Sequence, residues 1–259
     1  MTPRSRIIAL ANQKGGVGKT TTAINLATVL AAEHHVLLVD MDPQGNASTG
    51  LGVERTARGT GTYAMLVDGA ALGAVLCDTA VPNLKLVPAD TDLAGAEVEL
   101  VALPDREHRL REALARAPEM ADFDYVFLDC PPSLGLLTLN ALVAADSVMV
   151  PLQTEFFALE GVSQITQTIE RVKRALNPRL ALEGILLTMY DRRNNLSELV
   201  AQDVRGFFKD KVFETMIPRN IRITEAPSHG LPVTVYDARS PGALAYLALG
   251  AELKRRGVA

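Results

Sequence analysis

The residues best equipped for chemistry lie in one run near the start of the chain, Gln13-Lys14-Gly15-Gly16-Val17-Gly18-Lys19-Thr20-Thr21. Gly15, Gly16 and Gly18 let the backbone bend tightly and turn its amides inward, as a phosphate chain requires. A helix opening at Lys19 adds the partial positive charge of its N-terminus. Lys19 is placed to reach β- and γ-phosphates, and the Thr20 hydroxyl to hold Mg²⁺. In the pattern G-x-x-x-x-G-K-[ST] the first glycine would fall on Gln13, and the loop instead carries a second lysine, Lys14. A lysine there cannot easily fold back onto a γ-phosphate that Lys19 already serves. It is placed to cross to a nucleotide in a facing subunit, as an arginine finger supplied in trans does.

Three acids join this run. Asp40 and Asp42 close the stretch VLLVDMD, and Asp129 ends YVFLD. A carboxylate at the C-terminal end of a buried parallel strand lies on the ligand face of the sheet. Asp40 and Asp42 could also simply cap the loop that follows. Asp129 comes after four hydrophobic residues and is a poor surface charge, and Pro131 and Pro132 stop its strand.

The elements that must position these groups alternate. Short apolar runs predict strands at 7–12, 36–40, 84–88, 125–129, 147–151, 182–188 and 213–217. Helical patterns predict helices at 19–32, 91–102, 106–116, 133–144, 155–176, 196–208 and 244–256. Continuous apolar strands interleaved with helices imply an α/β fold, a doubly wound, mostly parallel sheet covered on both faces. Residues 42–62, rich in Gly, Ser and Thr, form the longest polar interruption and read as a functional loop. No repeat or low-complexity linker divides the 259 residues, so one domain over 1–259 is expected. The first strand opens at Ile7, and no separate DNA-reading domain is expected ahead of it.

Composition bounds the possibilities further. Hydrophobic residues at 48% and charged residues at 22% suit a globular chain rather than long disorder. Two cysteines, Cys77 and Cys130, make neither a disulfide framework nor a CxxC pair, which fits a reducing cytoplasm. No apolar run approaches the length of a membrane span. A net charge of −4 argues against nucleic-acid binding through bulk charge. The charge is uneven, however: residues 1–170 hold 11 Lys and Arg against 21 Asp and Glu, and residues 171–259 hold 15 against 9.

The segments KGGVGKTTT, LLVDMDPQGNASTGLG and FLDCPPSLGLLTLNAL together resemble the deviant-Walker P-loop NTPases of the SIMIBI type. With QTEFFALEG, GILLTMYDRR and IPRNIRITEAPSHGLPVTVYDARSPGA, the chain is similar over nearly its whole length to the ParA/Soj partitioning ATPases. The resemblance implies a nucleoid-associated, cytoplasmic ATPase. Its ATP-dependent sandwich homodimer binds double-stranded DNA without sequence preference, and a ParB-type centromere-binding partner stimulates its Mg²⁺-dependent hydrolysis. It implies that Lys14 contacts the partner subunit's ATP, that Asp42 positions the attacking water, and that Asp40 and Asp129 serve the Mg²⁺ shell with Thr20. It places Pro218 and Asn220 at the adenine, with Thr188 and Met189 nearby, and Arg193 and Arg222 on DNA. Asn220 after Pro-Arg is also ordinary turn chemistry.

Three rivals follow from the same core, and one, a regulatory or structural nucleotide-binding protein without turnover, is opposed by the intact Lys19, Thr20, Asp42 and Asp129. A MinD-like membrane-associated division-site ATPase needs a basic amphipathic helix beyond the core, and the chain ends AYLALGAELKRRGVA. A cobyrinate-amidase-like or cluster-carrying ATPase needs a substrate domain or CxxC. Cys130, beside the acid that ends YVFLD, reads as a small buried residue rather than a cluster ligand.

Overall fold

The structure is a computed structural model and describes residues 5–156 and 158–257. Its centre is a sheet of β1 (Arg6–Leu10), β2 (Val36–Asp40), β3 (Cys77–Asp78), β4 (Leu84–Val87), β5 (Tyr125–Asp129), β6 (Ser147–Gln153) and β7 (Ala181–Thr188). The strand order is β3-β4-β2-β5-β1-β6-β7, parallel throughout except where the short edge strand β3 meets β4. The fold is therefore the α/β, doubly wound arrangement that the alternating pattern implies. β5 lies between β1 and β2, with Leu10 and Asp40 both in register with Asp129. That register brings the phosphate loop and the two strand-ending acids together at the carboxyl ends of the three central strands.

Alternate strand residues face opposite layers, which explains why these strands are apolar at every position. Ile8, Leu10, Leu38 and Phe127 face α1 (Lys19–Leu30), α2 (Asn46–Gly50) and the C-terminal helices α10 (Val233–Tyr236) and α11 (Pro241–Arg256). Ile7, Ala9, Val39, Val126 and Leu128 face the other layer. That layer holds α3 (Leu72–Val75), α4 (Leu93–Glu99), α5 (Arg109–Arg116), α6 (Leu136–Ala144), α7 (Ala158–Ala175) and α8 (Asn195–Phe208). The short α9 (Ile221–Glu225) follows the Pro218–Asn220 turn.

Three differences from the sequence reading have physical causes. Residues 213–217 are not a ladder strand, although Phe213 donates its amide to Ile185 and Ile217 to Leu187. Between them the amides of Glu214 (2.8 Å) and Thr215 (2.9 Å) donate to the Glu252 carboxylate on α11. The segment is thus arched away from β7 and held by a helix. The 42–62 loop contains α2 and a 3₁₀ turn at Arg55–Ala57, because Asp40 accepts from the backbone of Ser48. α11 begins at Pro241, ahead of the expected Leu244: the Ser240 hydroxyl accepts from Ala243 N (3.2 Å), and proline suits the first turn.

Candidate active site

The loop between β1 and α1 folds into a concave backbone cradle. Gly16 and Gly18 have φ of 74° and 88°, a region that side-chain-bearing residues avoid, so the run of glycines has a backbone reason. Gly18 caps α1 without a side-chain hydrogen bond. The first amides of a twelve-residue helix are therefore left to whatever fills the cradle. Lys19 is buried and donates to Lys14 O at 3.1 Å, which closes its ammonium over the loop. Burial lowers its pKa, and the negative charge of Asp129 opposes that shift. Gly15 and Val17 complete the curve, with Val17 O accepting from the Thr188 hydroxyl at the end of β7 (2.9 Å). Thr20 and Thr21 are half-buried in the first turn of α1.

The three acids have different environments. Asp129 is fully buried, and neither carboxylate oxygen finds a hydrogen-bond partner among the described residues. Burial raises its pKa well above 3.8 and the neighbouring Asp40 charge raises it further, while the Thr20 hydroxyl, too poorly aligned to count as a full hydrogen bond, pulls it back down. Asp40 is also fully buried, but its oxygens are engaged. Oδ2 accepts from Ser48 N (2.9 Å) and Ser48 Oγ (2.7 Å), and Oδ1 from Asp42 N (3.2 Å). Its pKa is raised by burial, with the Ser48 bonds pulling the other way. Asp42 opens a tight turn: Gly45 N donates to its carbonyl (2.8 Å) and Gln44 N to its Oδ1 (2.9 Å), leaving Oδ2 unengaged in the described bonds.

Two clefts adjoin the cradle. A pocket of about 150 Å³ lies against Gly18, Thr21, Thr188, Pro218, Asn220 and Tyr246. Asn220 caps α9, its Oδ1 accepting from Arg222 N at 3.1 Å, so its turn role is realised and its amide nitrogen remains for another partner. A wider groove of about 780 Å³ shares Pro218 and Arg219 with that pocket and is also lined by Arg192 and Arg193. Arg193 is exposed and paired with Asp191 (3.0 Å), while Arg222 is outside this groove and pairs with Glu225 (2.8 Å) and Asp237 (3.4 Å). Lys14 is half exposed and forms an ion pair with Glu155, in the loop after β6.

The structure thus brings Lys14, Lys19, Thr20, Asp40, Asp42 and Asp129 together at the carboxyl ends of the central strands, with Pro218 and Asn220 beside them and Arg193 and Arg222 on the flank. Sequence reasoning did not single out Ser48, Glu155 or Arg58. Ser48 and Arg58 fall in what reads as polar loop, and their partners are distant in the chain. Glu155 was visible only as part of QTEFFALEG. The basic tail of α11 is largely spent internally: Lys254 pairs with Glu33 (2.6 Å), and Arg256 pairs with Glu252 (2.9 Å) and lies over the Phe213 ring.

A glycine-rich turn between a buried strand and a helix, with two acids ending neighbouring parallel strands, defines a P-loop nucleotide-binding protein. The AAA domain family model matches residues 5–182. The chain is 56% identical over 252 residues to the chromosome partitioning protein ParA of Caulobacter vibrioides, covering 97% of this chain and 94% of that one. It is 52% identical over 253 residues to the sporulation initiation inhibitor protein Soj of Bacillus subtilis, covering 97% and 99%. Among solved structures, cobyrinic acid a,c-diamide synthase of Mycobacterium smegmatis with bound ADP and magnesium superposes with a TM-score of 0.85. It shares 39% identity, with 98% and 96% of the two chains covered. The chain belongs to the ParA/Soj family of partitioning ATPases.

Proposed function

We propose that this chain is a DNA-segregation ATPase that uses ATP and Mg²⁺ to switch between a free form and a DNA-bound homodimer. The observation that carries the reading is the unpartnered Asp129 carboxylate beneath the phosphate cradle. A fully buried acid whose oxygens make no well-formed hydrogen bond, with only a loosely placed Thr20 hydroxyl acting on it, costs stability unless a cation completes it. Asp129 and the Thr20 hydroxyl are the groups that would hold Mg²⁺. Asp40, saturated by Ser48 and Asp42, would shape that shell from behind rather than by direct contact. The metal would neutralise charge on the β- and γ-phosphates.

Around it, the chain's residues divide the work. The amides of 15–20 and the Lys19 ammonium bind the phosphates, and Pro218 and Asn220 hold the base. Asp42, with a free carboxylate oxygen on an ordered turn, orients the attacking water toward the γ-phosphate. Lys14 leaves Glu155 and crosses to the partner subunit's nucleotide, so ATP favours the paired state. Pairing doubles a cationic face that includes Arg193 and Arg222, and DNA is held through its phosphates without base reading. The DNA-held ATP dimer lies on the nucleoid in the cytoplasm, and a ParB-type partner triggers hydrolysis and release.

The amidating activity named for the M. smegmatis structure is not carried over. The partitioning relatives are more similar, and the cleft adjoining the nucleotide pocket is lined by Arg192, Arg193 and Arg219, which suits phosphate backbones. The membrane alternative gains nothing from α11, whose apolar residues Tyr246, Leu249 and Leu253 are buried in the core rather than left for a bilayer. The deciding experiment compares retention of non-specific duplex DNA with Mg·ATP, with Mg·ADP and without nucleotide at one salt concentration. Retention with ATP alone is expected, and equal retention in all three would overturn the switch.

A further inference from the structure

Arg58 is 3% exposed and, among the described residues, forms no ion pair, yet its guanidinium is almost fully committed. Nη1 donates to Ala89 O (2.7 Å). Nη2 donates to Gly45 O (3.1 Å) and to Thr49 Oγ1 (2.6 Å), and Nε to Val53 O (3.3 Å). Burying a cation against carbonyls and one hydroxyl, with the Asp40 and Asp90 charges offsetting only part of its desolvation, is a poor route to stability, since an apolar side chain would fill the same space without that cost. What only a guanidinium supplies is a rigid planar fork that fixes several acceptors at once.

Those acceptors lead to the site. Gly45 is the last residue of the turn whose first residue is Asp42, closed by Gly45 N donating to Asp42 O. Ala89, beyond the end of β4, is held from both sides: its carbonyl by Arg58 and its amide by Ser48 Oγ (3.1 Å), the same hydroxyl that donates to Asp40. Gly45 is shaped to this arrangement. Its φ is +63°, and a Cβ there would lie 2.0 Å from Arg58 Nη1 and 2.8 Å from Ala89 O. Two residues thirteen positions apart are thus fitted to each other, next to the acid that faces the phosphates.

We propose that Arg58 is a positioning residue for ATP hydrolysis, locking the Asp42 turn to the end of β4 so that Asp42 is held in register with the phosphate cradle. The inference rests on the ATPase reading above. Arg58 touches neither nucleotide nor water; it acts through Gly45 and the turn. Its loss therefore acts on turnover and spares nucleotide binding, which the glycine loop and Lys19 provide.

The test measures basal Mg·ATP hydrolysis, affinity for a fluorescent ATP analogue and thermal midpoint for the full chain and for Arg58→Lys, Arg58→Ala, Gly45→Ala and Thr49→Val. A displacement of the turn by about 1 Å is expected to lower kcat about 10²-fold in Arg58→Ala and Gly45→Ala. Arg58→Lys, whose three donors sit on one nitrogen instead of a planar fork, should retain more activity than Arg58→Ala, and Thr49→Val should lose least. Nucleotide affinity should hold within about threefold throughout, the signature of an interaction used only in turnover. Unchanged kcat in folded Gly45→Ala and Arg58→Lys would overturn the proposal. So would a parallel loss of kcat and nucleotide affinity, or unfolding of the mild Thr49→Val and Arg58→Lys variants, since either outcome makes the clamp merely structural. If the unsubstituted chain itself fails to hydrolyse ATP, the ATPase reading falls and the clamp with it. Turnover retained by chain and variants alike overturns the clamp alone.

Discussion

Replacing Asp129 by asparagine should make the nucleotide-free protein more stable and the Mg·ATP complex less so. The carboxylate is fully buried, neither oxygen makes a well-formed hydrogen bond although the Thr20 hydroxyl acts on it, and it lies in register with the acidic Asp40. Leaving a buried polar group unsatisfied costs about 1–3 kcal/mol, and more when it is charged. Asparagine keeps the shape and removes the charge. The asparagine amide stays unpaired and Lys19 loses the attraction of Asp129, so only part of the extra cost of the charge is recovered, a net stabilisation of about 1 kcal/mol. For a chain of this size that is a rise of about 2–4 °C in Tm per kcal/mol.

The pH dependence fixes the sign independently. Asp129 has a folded-state pKa well above the 3.8 of the unfolded chain, so folding takes up a proton between those values. The folded state pays no penalty below the unfolded value. The penalty grows as pH rises toward the folded value and is constant above it. The stability advantage of Asp129→Asn should therefore be small near pH 4 and widen toward neutrality. Saturating Mg·ATP reverses the order. At about 100 times its Kd a ligand adds about 2.7 kcal/mol, and the asparagine variant forfeits the metal-dependent part of that. Differential scanning calorimetry with and without Mg·ATP at several pH values reads both effects. A nucleotide-free variant that melts lower at pH 8, or an advantage that does not change with pH, would refute the argument that Asp129 is a buried acid awaiting a cation.

Further outcomes follow from the same geometry. Lys14→Ala should abolish ATP-induced dimers in light scattering while sparing most nucleotide binding, because the side chain lies outside its own cradle and pairs with Glu155; intact dimers would remove the trans role. Asp42→Ala should hydrolyse ATP poorly and stay on DNA as the ATP dimer, and unchanged phosphate release would take Asp42 out of the reaction. Arg222→Glu should dimerise normally but lose DNA retention, with a shallower dependence on salt because a phosphate contact is gone; undiminished retention at moderate salt would place the DNA face elsewhere.

The parts of this fold that rest on local pattern were readable in advance. VLLVD and YVFLD are strands with the boundaries their apolar runs imply, since each residue faces one of two buried layers. The glycine loop was readable because its chemistry lies within nine consecutive residues and its strand and helix flank it directly. Arrangements that depend on distant partners were not. FETMI has the composition of a strand, yet Glu252, far along the chain, takes the amides that a ladder would need. NASTG has the composition of a loop, yet Asp40 holds its central Ser48 and Arg58 its cap Gly45, and it folds as a helix.

The same distinction separates the two kinds of residue at the site. Groups that meet phosphate directly must be glycine, lysine, threonine or aspartate at fixed spacing, because the ligand dictates their chemistry, and such spacing is visible in one sequence. Groups that hold those residues in place need only a shape and a donor set. Arg58 reaches Gly45 thirteen positions back and Ala89 thirty-one positions on, and nothing in RTARGTG marks it among other exposed-looking arginines. Its burial without a contacting carboxylate distinguishes it, and that is a property of the folded chain alone. A buried arginine bound only to carbonyls and a hydroxyl, beside a glycine that admits it, therefore marks where the chain gives up stability to fix a geometry. Here the geometry fixed is that of the turn carrying Asp42.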